Sequence, residues 1–142
     1  MVHFTTERRV QFFETDLAGI VHFANFYRWM EETEHEFFRS LGLTIMQPQG
    51  DGRYLGWPRV SASCTFERPA YYEDRIEARL SVERIGAKSL TYVVEFWKAG
   101  QRIAHGRMKT ACCLCGHGVP LESVLIPAEY LARLPPVEAG ST

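Results

Sequence analysis

An aspartate stands in a turn-like stretch, three residues before a glycine and just ahead of a helical pattern. The stretch reads Phe13-Glu14-Thr15-Asp16-Leu17-Ala18-Gly19-Ile20-Val21-His22-Phe23-Ala24-Asn25-Phe26. A carboxylate so placed can act as nucleophile or general base. The first N–H groups of the helix that follows lack intrahelical partners and carry partial positive charge, so they can grip an anionic oxygen. A carbonyl lodged between the two meets an attacking group on one side and hydrogen-bond donors on the other. Hydrolysis of an ester or thioester needs that pairing. An aspartate ahead of a glycine is also a common structural turn residue, so the local pattern admits both readings.

Other residues invite chemistry less strongly. Cys112-x-x-Cys115 has a zinc-like spacing, with Cys113 between. Zinc takes four converging ligands, whereas residues three apart on a strand face opposite ways. His117 joins them only if Gly116 and Gly118 turn the chain, and Cys64 belongs to a different strand. Small half-apolar strand residues are the favoured reading, and neither a metal nor an organic cofactor is expected. The acids of the helical pattern, Glu31, Glu32, Glu34 and Glu36, mostly face solvent or the edge of its apolar stripe. Glu14 shares a strand face with Asp16. Tyr54, Leu55 and Trp57 either line a pocket or plug the core.

The elements that must position Asp16 follow from periodicity. Residues about 2–14 read as a first strand, with Phe4, Val10 and Phe12 among polar neighbours. At 100° per residue, Phe26, Met30, Thr33, Phe37 and Leu41 share one helix face, flanked by Trp29 and Ser40. Arg28, Glu31, Glu32, His35 and Arg39 lie opposite, the mark of an amphipathic helix. Asn25 or a residue near His22 caps its start, and Gly42 is placed to end it. Residues 44–58, with Pro48, Gly50, Gly52, Gly56 and Pro58, predict an irregular connection.

Period-two alternation then takes over. Val60, Ala62, Cys64 and Phe66 form one apolar set, Ile76 to Val82 a second, Leu90 to Phe96 a third, and residues about 101–114 a further run. Turns at Ile85-Gly86-Ala87-Lys88 and Lys98-Ala99-Gly100-Gln101 make these strands antiparallel. Pro127 sits at a first helical position before residues 128–134, and residues 135–142 read as a loose tail. One long helix and one antiparallel sheet must bury their apolar surfaces against each other. The expectation is an α+β domain over residues 1–134, a five-stranded antiparallel sheet wrapped around one central helix.

Bulk properties narrow the partners. The 142 residues suit a single domain, and 46% hydrophobic with 23% charged residues is an ordinary globular balance. Sixteen Lys and Arg against 17 Asp and Glu give a net charge of −1. Nucleic-acid binding, which draws on a basic excess, is not expected. No signal peptide or membrane span is visible. A cytoplasmic protein with four reduced cysteines is the expectation.

The stretch from Val10 to Glu31 resembles the signature of the 4-hydroxybenzoyl-CoA thioesterase family of the hot-dog superfamily. Matching residues are Asp16, Gly19, Val21, His22-Phe23, Asn25, Phe26 and Glu31. Arg68-Pro69-Ala70, Asp74, Ile85-Gly86, Ser89 and Ile126-Pro127 follow the family layout, so the likeness covers residues about 3–134. The resemblance implies a hot-dog fold and an acyl-CoA thioesterase without a cofactor. Asp16 would attack the thioester carbonyl or activate water for that attack, and the Phe23 amide would polarise the carbonyl. The motif residues Gly19, Val21 and Asn25 would then contact substrate, joined by Tyr54 and Trp57 if these line the pocket. Arg84, Lys88 and Ser89 either hold the coenzyme A phosphates, as relatives often do in this region, or form a solvated hairpin end, the slightly favoured reading. Many relatives read Tyr-His where this chain has His22-Phe23, so His22 is either a displaced catalytic helper or a capping residue. A homodimer, often paired into a homotetramer, with sites at the subunit junction is also implied. A thioesterase acting on acyl carrier protein and a non-catalytic thioester-binding domain remain alternatives.

Overall fold

The apolar helix stripe finds its partner in a sheet. This computed structural model describes residues 1–137. The chain runs through β1 (Phe4–Arg9), α1 (Ala24–Ser40), β2 (Gln47–Pro48), β3 (Tyr54–Gly56) and β4 (Arg59–Phe66). It continues through β5 (Arg75–Ile85), β6 (Ser89–Lys98), β7 (Gln101–Ala111), β8 (Cys113–Cys115), β9 (Glu122–Ser123) and α2 (Ala128–Arg133). Five strands form an antiparallel sheet in the order β1-β5-β6-β7-β4.

Alternation along β5 and β6 sends Ile76, Ala78, Leu80, Val82, Leu90, Tyr92, Val94 and Phe96 into the core. From α1 they meet Phe26, Trp29, Met30, Thr33, Phe37 and Phe38. Full burial of one such large side chain stabilises by roughly 1.5–3 kcal/mol. The helix stops where Gly42 takes φ +72° and Leu43 N–H returns to the Phe38 carbonyl at 2.9 Å. The β6–β7 hairpin closes on Ala99 and Gly100, both at positive φ. The five-stranded sheet on one long helix is the architecture expected from the sequence.

Three boundaries differ. The first strand ends at Arg9, not near residue 14. Val10 N–H bonds the Asp74 carbonyl, and a single 3-10 turn then spans Phe12–Glu14. Phe12 and Phe13 are exposed while Glu14 is buried. The connection 44–58 contributes β2 and β3 to a second sheet, β2-β3-β8-β9. The fifth run splits because Cys112 turns its N–H to the Lys88 carbonyl. Beyond α2, Val137 packs against the core, and the rest of the expected tail, from residue 138, lies outside the described residues.

The edge strand β4 is exposed along most of its length despite its alternation. Val60 and Phe66 are 58% and 45% exposed. Arg59 ties the strand's start to α1 through Glu34, with Nη2 2.8 Å from Oε1. Glu34, one of the helix acids expected to face solvent or the edge of the stripe, is fully buried. Burial pushes its carboxyl up to about 7, and Arg59 pulls the other way.

Candidate active site

The turn that carries Asp16 is built from its own backbone. Gly19 N–H bonds the Asp16 carbonyl, and Asp16 N–H bonds the Ile20 carbonyl, both at 2.9 Å. Gly19 takes φ +82°, a conformation that side-chain-bearing residues adopt at a cost. Thr15 pairs with Val21, and Val21 N–H reaches the Ala70 carbonyl at 2.8 Å. The turn is thus stitched to the segment that follows β4.

Asp16 uses one oxygen locally. Its Oδ1 accepts the Ala18 N–H at 2.9 Å, the structural turn bond that the sequence allowed. That bond does not remove the carboxylate from the site. Asp16 lines a cavity of about 570 Å³ together with Ile20 and Val21, Phe23 just ahead of α1, Phe26 within it, and the run Phe66 to Ala70. Among the described residues no Lys, Arg or His pairs with Asp16. A second carboxylate on the cavity wall, Glu67, is already engaged. Hydrogen bonds from Arg102 and His105 hold it below the ordinary carboxylate range.

The helix mouth opens on the same cavity. Phe23 has helical dihedrals, φ −55° and ψ −31°. Asn25 N–H bonds the His22 carbonyl at 2.9 Å and Phe26 N–H the Phe23 carbonyl at 3.1 Å. Ala24 N–H is taken by His22 Nδ1 at 3.2 Å. No acceptor among the described residues takes the Phe23 N–H. Asp16 and Phe23, whose helix-opening N–H is unpaired among the described residues, therefore line one cavity, and an acyl-transfer site requires a carboxylate and a donor so placed.

The other expected site residues divide. Val21 lines the cavity, and Gly19 shapes the turn. His22 turns its ring nitrogen to Ala24 and stacks on Phe23 at 4.8 Å, so it caps the helix and does not line the cavity. Asn25 is buried, lies inside the helix rather than at its cap, is not among the residues lining the cavity, and its amide donates to the Glu14 carbonyl at 2.7 Å. Glu14 points inward and accepts from Trp29 Nε1 at 2.6 Å, so it does not face the cavity beside Asp16.

Trp57 is buried against Phe38 and Tyr130, and Tyr54 pairs with Cys115 in the second sheet. Both are core and second-sheet residues rather than part of the Asp16 cavity. Arg84, Lys88 and Ser89 belong to the β5–β6 turn. Ser89 pairs with Ala111, whereas Phe66 pairs with Ala104. Seven residues of β7 separate the two places, about 24 Å. Within one protomer that turn sits at the far end of the sheet from Asp16. Phe26, Phe66, Glu67 and Arg68 line the cavity without having been read as site residues. The Arg68-Pro69-Ala70 layout was the one signal for that wall.

The chain matches the thioesterase superfamily over residues 18–105. A crystal structure of a hypothetical protein from Aquifex aeolicus superposes with a TM-score of 0.81 at 32% identity, over 94% of this chain and 100% of that one. The structure of a gentisyl-coenzyme A thioesterase gives a TM-score of 0.74 at 31% identity, over 89% and 98%. A 1,4-dihydroxy-2-naphthoyl-CoA hydrolase of Prochlorococcus marinus (strain NATL1A) is 31% identical over 108 residues, 72% of each chain. No helix among the described residues is long and apolar enough to cross a membrane.

Proposed function

Because this chain belongs to the thioesterase superfamily and is a thioester hydrolase, we propose that it cleaves aroyl-CoA or acyl-CoA thioesters in the cytoplasm, with Asp16 delivering the nucleophile. The observation that supports the reading is that Asp16 and Phe23 line one cavity and that the Phe23 N–H has no acceptor among the described residues. Asp16 attacks the thioester carbon, or takes the proton of the water that attacks it. The Phe23 N–H bonds the carbonyl oxygen as negative charge gathers there. Such a donor is worth about 2.7–4 kcal/mol in the transition state. Coenzyme A leaves as the thiolate when the tetrahedral intermediate collapses. On the base route it regains the proton that Asp16 took from water; after direct attack, water hydrolyses the aspartyl anhydride, releasing the acid and supplying the proton to the thiolate.

The cavity wall favours an aromatic acyl group. Phe23, Phe26 and Phe66 line it, with ring centroids 5.3 Å apart for Phe26 and Phe66 and 6.2 Å for Phe23 and Phe66. A flat ring gains edge and stacking contacts there beyond its buried area. The named relatives act on gentisyl- and dihydroxynaphthoyl-CoA, which supports the same substrate class.

The working unit is a homodimer joined along β4. An unpaired sheet edge is usually blunted by charge or proline. β1 carries Glu7, Arg8 and Arg9, but β4 reads Arg59-Val60-Ser61-Ala62-Ser63-Cys64-Thr65-Phe66, and its one charge is tied to Glu34. Antiparallel pairing of β4 with its copy about a two-fold axis sets the Arg59 end of one strand beside the Phe66 end of the other. The partner's β5–β6 turn then approaches Asp16, and Arg84, Lys88 and Ser89 regain a role toward the coenzyme A phosphates.

Free thiol released from a panel of short, long and aromatic acyl-CoAs tests this function. Release is expected from the panel and fastest from hydroxylated aroyl-CoA. Absence of release from every member would overturn the reading.

A further inference from the structure

One buried carboxylate joins both halves of the site. Glu14 is 4% exposed and lies two residues before Asp16. Its backbone carbonyl accepts the His22 N–H at 2.9 Å and the Asn25 amide at 2.7 Å. Those two donors flank Phe23, whose N–H opens the helix. Its carboxylate is gripped as well. Oε1 accepts the Gln11 N–H at 2.8 Å, and Oε2 accepts Trp29 Nε1 at 2.6 Å with Arg8 Nη2 at 3.5 Å. Arg8 completes the arrangement by lying over the Trp29 ring at 4.9 Å and bonding Glu32 farther along α1.

We propose that Glu14 is a positioning residue that sets the separation between the Asp16 carboxylate and the Phe23 N–H. The inference rests on the proposed function and deepens it. Loop and helix need only apolar contact to adhere. Burying a carboxylate is justified where several donors converge on it and fix direction as well as distance. Here donors from α1 and from residues 11 and 22 hold Glu14 at its carbonyl and at its carboxylate. The chain has only Thr15, itself paired with Val21, in which to reach Asp16. A displacement of Glu14 therefore moves the attacking group and the oxygen-binding group relative to each other. The same contacts account for Asn25 and Trp29, which work here through Glu14 and not on substrate.

The effect on rate follows from near-attack geometry. A misplacement of about 1 Å lowers turnover roughly 100-fold while leaving substrate affinity largely intact. Glu14→Gln keeps one acceptor oxygen and removes the charge, whereas Glu14→Ala removes both. Trp29→Phe deletes the indole donor and retains most of the ring. These substitutions are combined with Asp16→Asn in a double-mutant cycle on an aroyl-CoA.

Glu14→Gln is expected to lower kcat about 10–100-fold with KM changed less than about threefold, and Glu14→Ala to lower it further. In the Asp16→Asn background Glu14→Gln is expected to lower the residual rate by no more than about threefold, because the group it positions is already gone. If Glu14→Gln does not fold, Trp29→Phe decides by the same criterion. Equal fold-losses in both backgrounds, or an unchanged kcat, overturn the positioning role. Asp16→Asn alone reports on the parent reading. A normal rate there overturns the Asp16 assignment and the positioning role together, whereas a slow Asp16→Asn with additive losses overturns only the latter.

Discussion

The Phe23 N–H can be removed without rebuilding the helix. Phe23 sits at φ −55°, within the range of a proline ring, and its N–H bonds nothing among the described residues. Proline is well tolerated at the first position of a helix for both reasons. His22 precedes it outside the helix, where a following proline is accommodated. Phe23→Pro therefore deletes the proposed oxyanion donor and also the phenyl ring. Phe23→Ala deletes the ring alone, so the ratio of the two variants isolates the donor. From a loss of about 2.7–4 kcal/mol, kcat of Phe23→Pro is expected to be roughly 100- to 1000-fold below that of Phe23→Ala. Thiol release from an aroyl-CoA gives the rates, and circular dichroism with thermal melting checks that both variants fold. A proline variant within threefold or so of the alanine variant would refute the assignment of the donor.

Three further outcomes follow from the packing. Gly19→Ala meets no atom within 4 Å of its new Cβ but must hold φ +82°, so thermal melting should fall by roughly 2–4 °C for a loss of about 1 kcal/mol. A melt identical to wild type would contradict the turn geometry. Glu34 should make stability pH-dependent. Its carboxyl sits at about 7 when folded against 4.5 when free, so the folded chain holds a proton that the unfolded chain releases. The stability tied to that proton is complete below pH 4.5 and is lost as pH rises through about 7. Against Glu34→Gln, which mimics the protonated acid, wild type should lose up to about 3 kcal/mol over that window in urea unfolding. A gap that does not vary with pH would contradict it. Ala62→Glu places a charge on the β4 edge and is expected to yield monomers in sedimentation with loss of turnover, whereas an unchanged oligomer would count against β4 pairing.

Much of the scaffold was legible in residue order because it rests on local periodicity. Phe26, Met30, Thr33 and Phe37 recur at helical spacing, and the strand sets alternate over 8 to 11 residues. Gly42 and the Ala99-Gly100 turn carry their own conformational signals. The second sheet escaped because its strands are only two or three residues long. The first strand was overextended because Phe12 continues the alternation, although it ends up exposed in a 3-10 turn.

At the site, Asp16 and Phe23 belong to one short stretch and could be read together. Phe66, Glu67 and Arg68 arrive from the end of β4, about 50 residues later in the chain, and only the sheet register brings them in. Asn25 looked like a cap or a substrate contact because its long-range acceptor, the Glu14 carbonyl, is a backbone atom with no sequence signature. Tyr54 and Trp57 looked like pocket residues because aromatic side chains suit a pocket and a core equally well. The fold sends Trp57 into the core.

The direct test of the central claim is turnover of Asp16→Asn, which keeps the side chain's size and its bond from Ala18 but removes the charge. Measured by thiol release on the best aroyl-CoA, kcat should fall by roughly 100-fold or more while the melting temperature stays near wild type. A folded Asp16→Asn protein that hydrolyses the substrate at the wild-type rate would contradict the account.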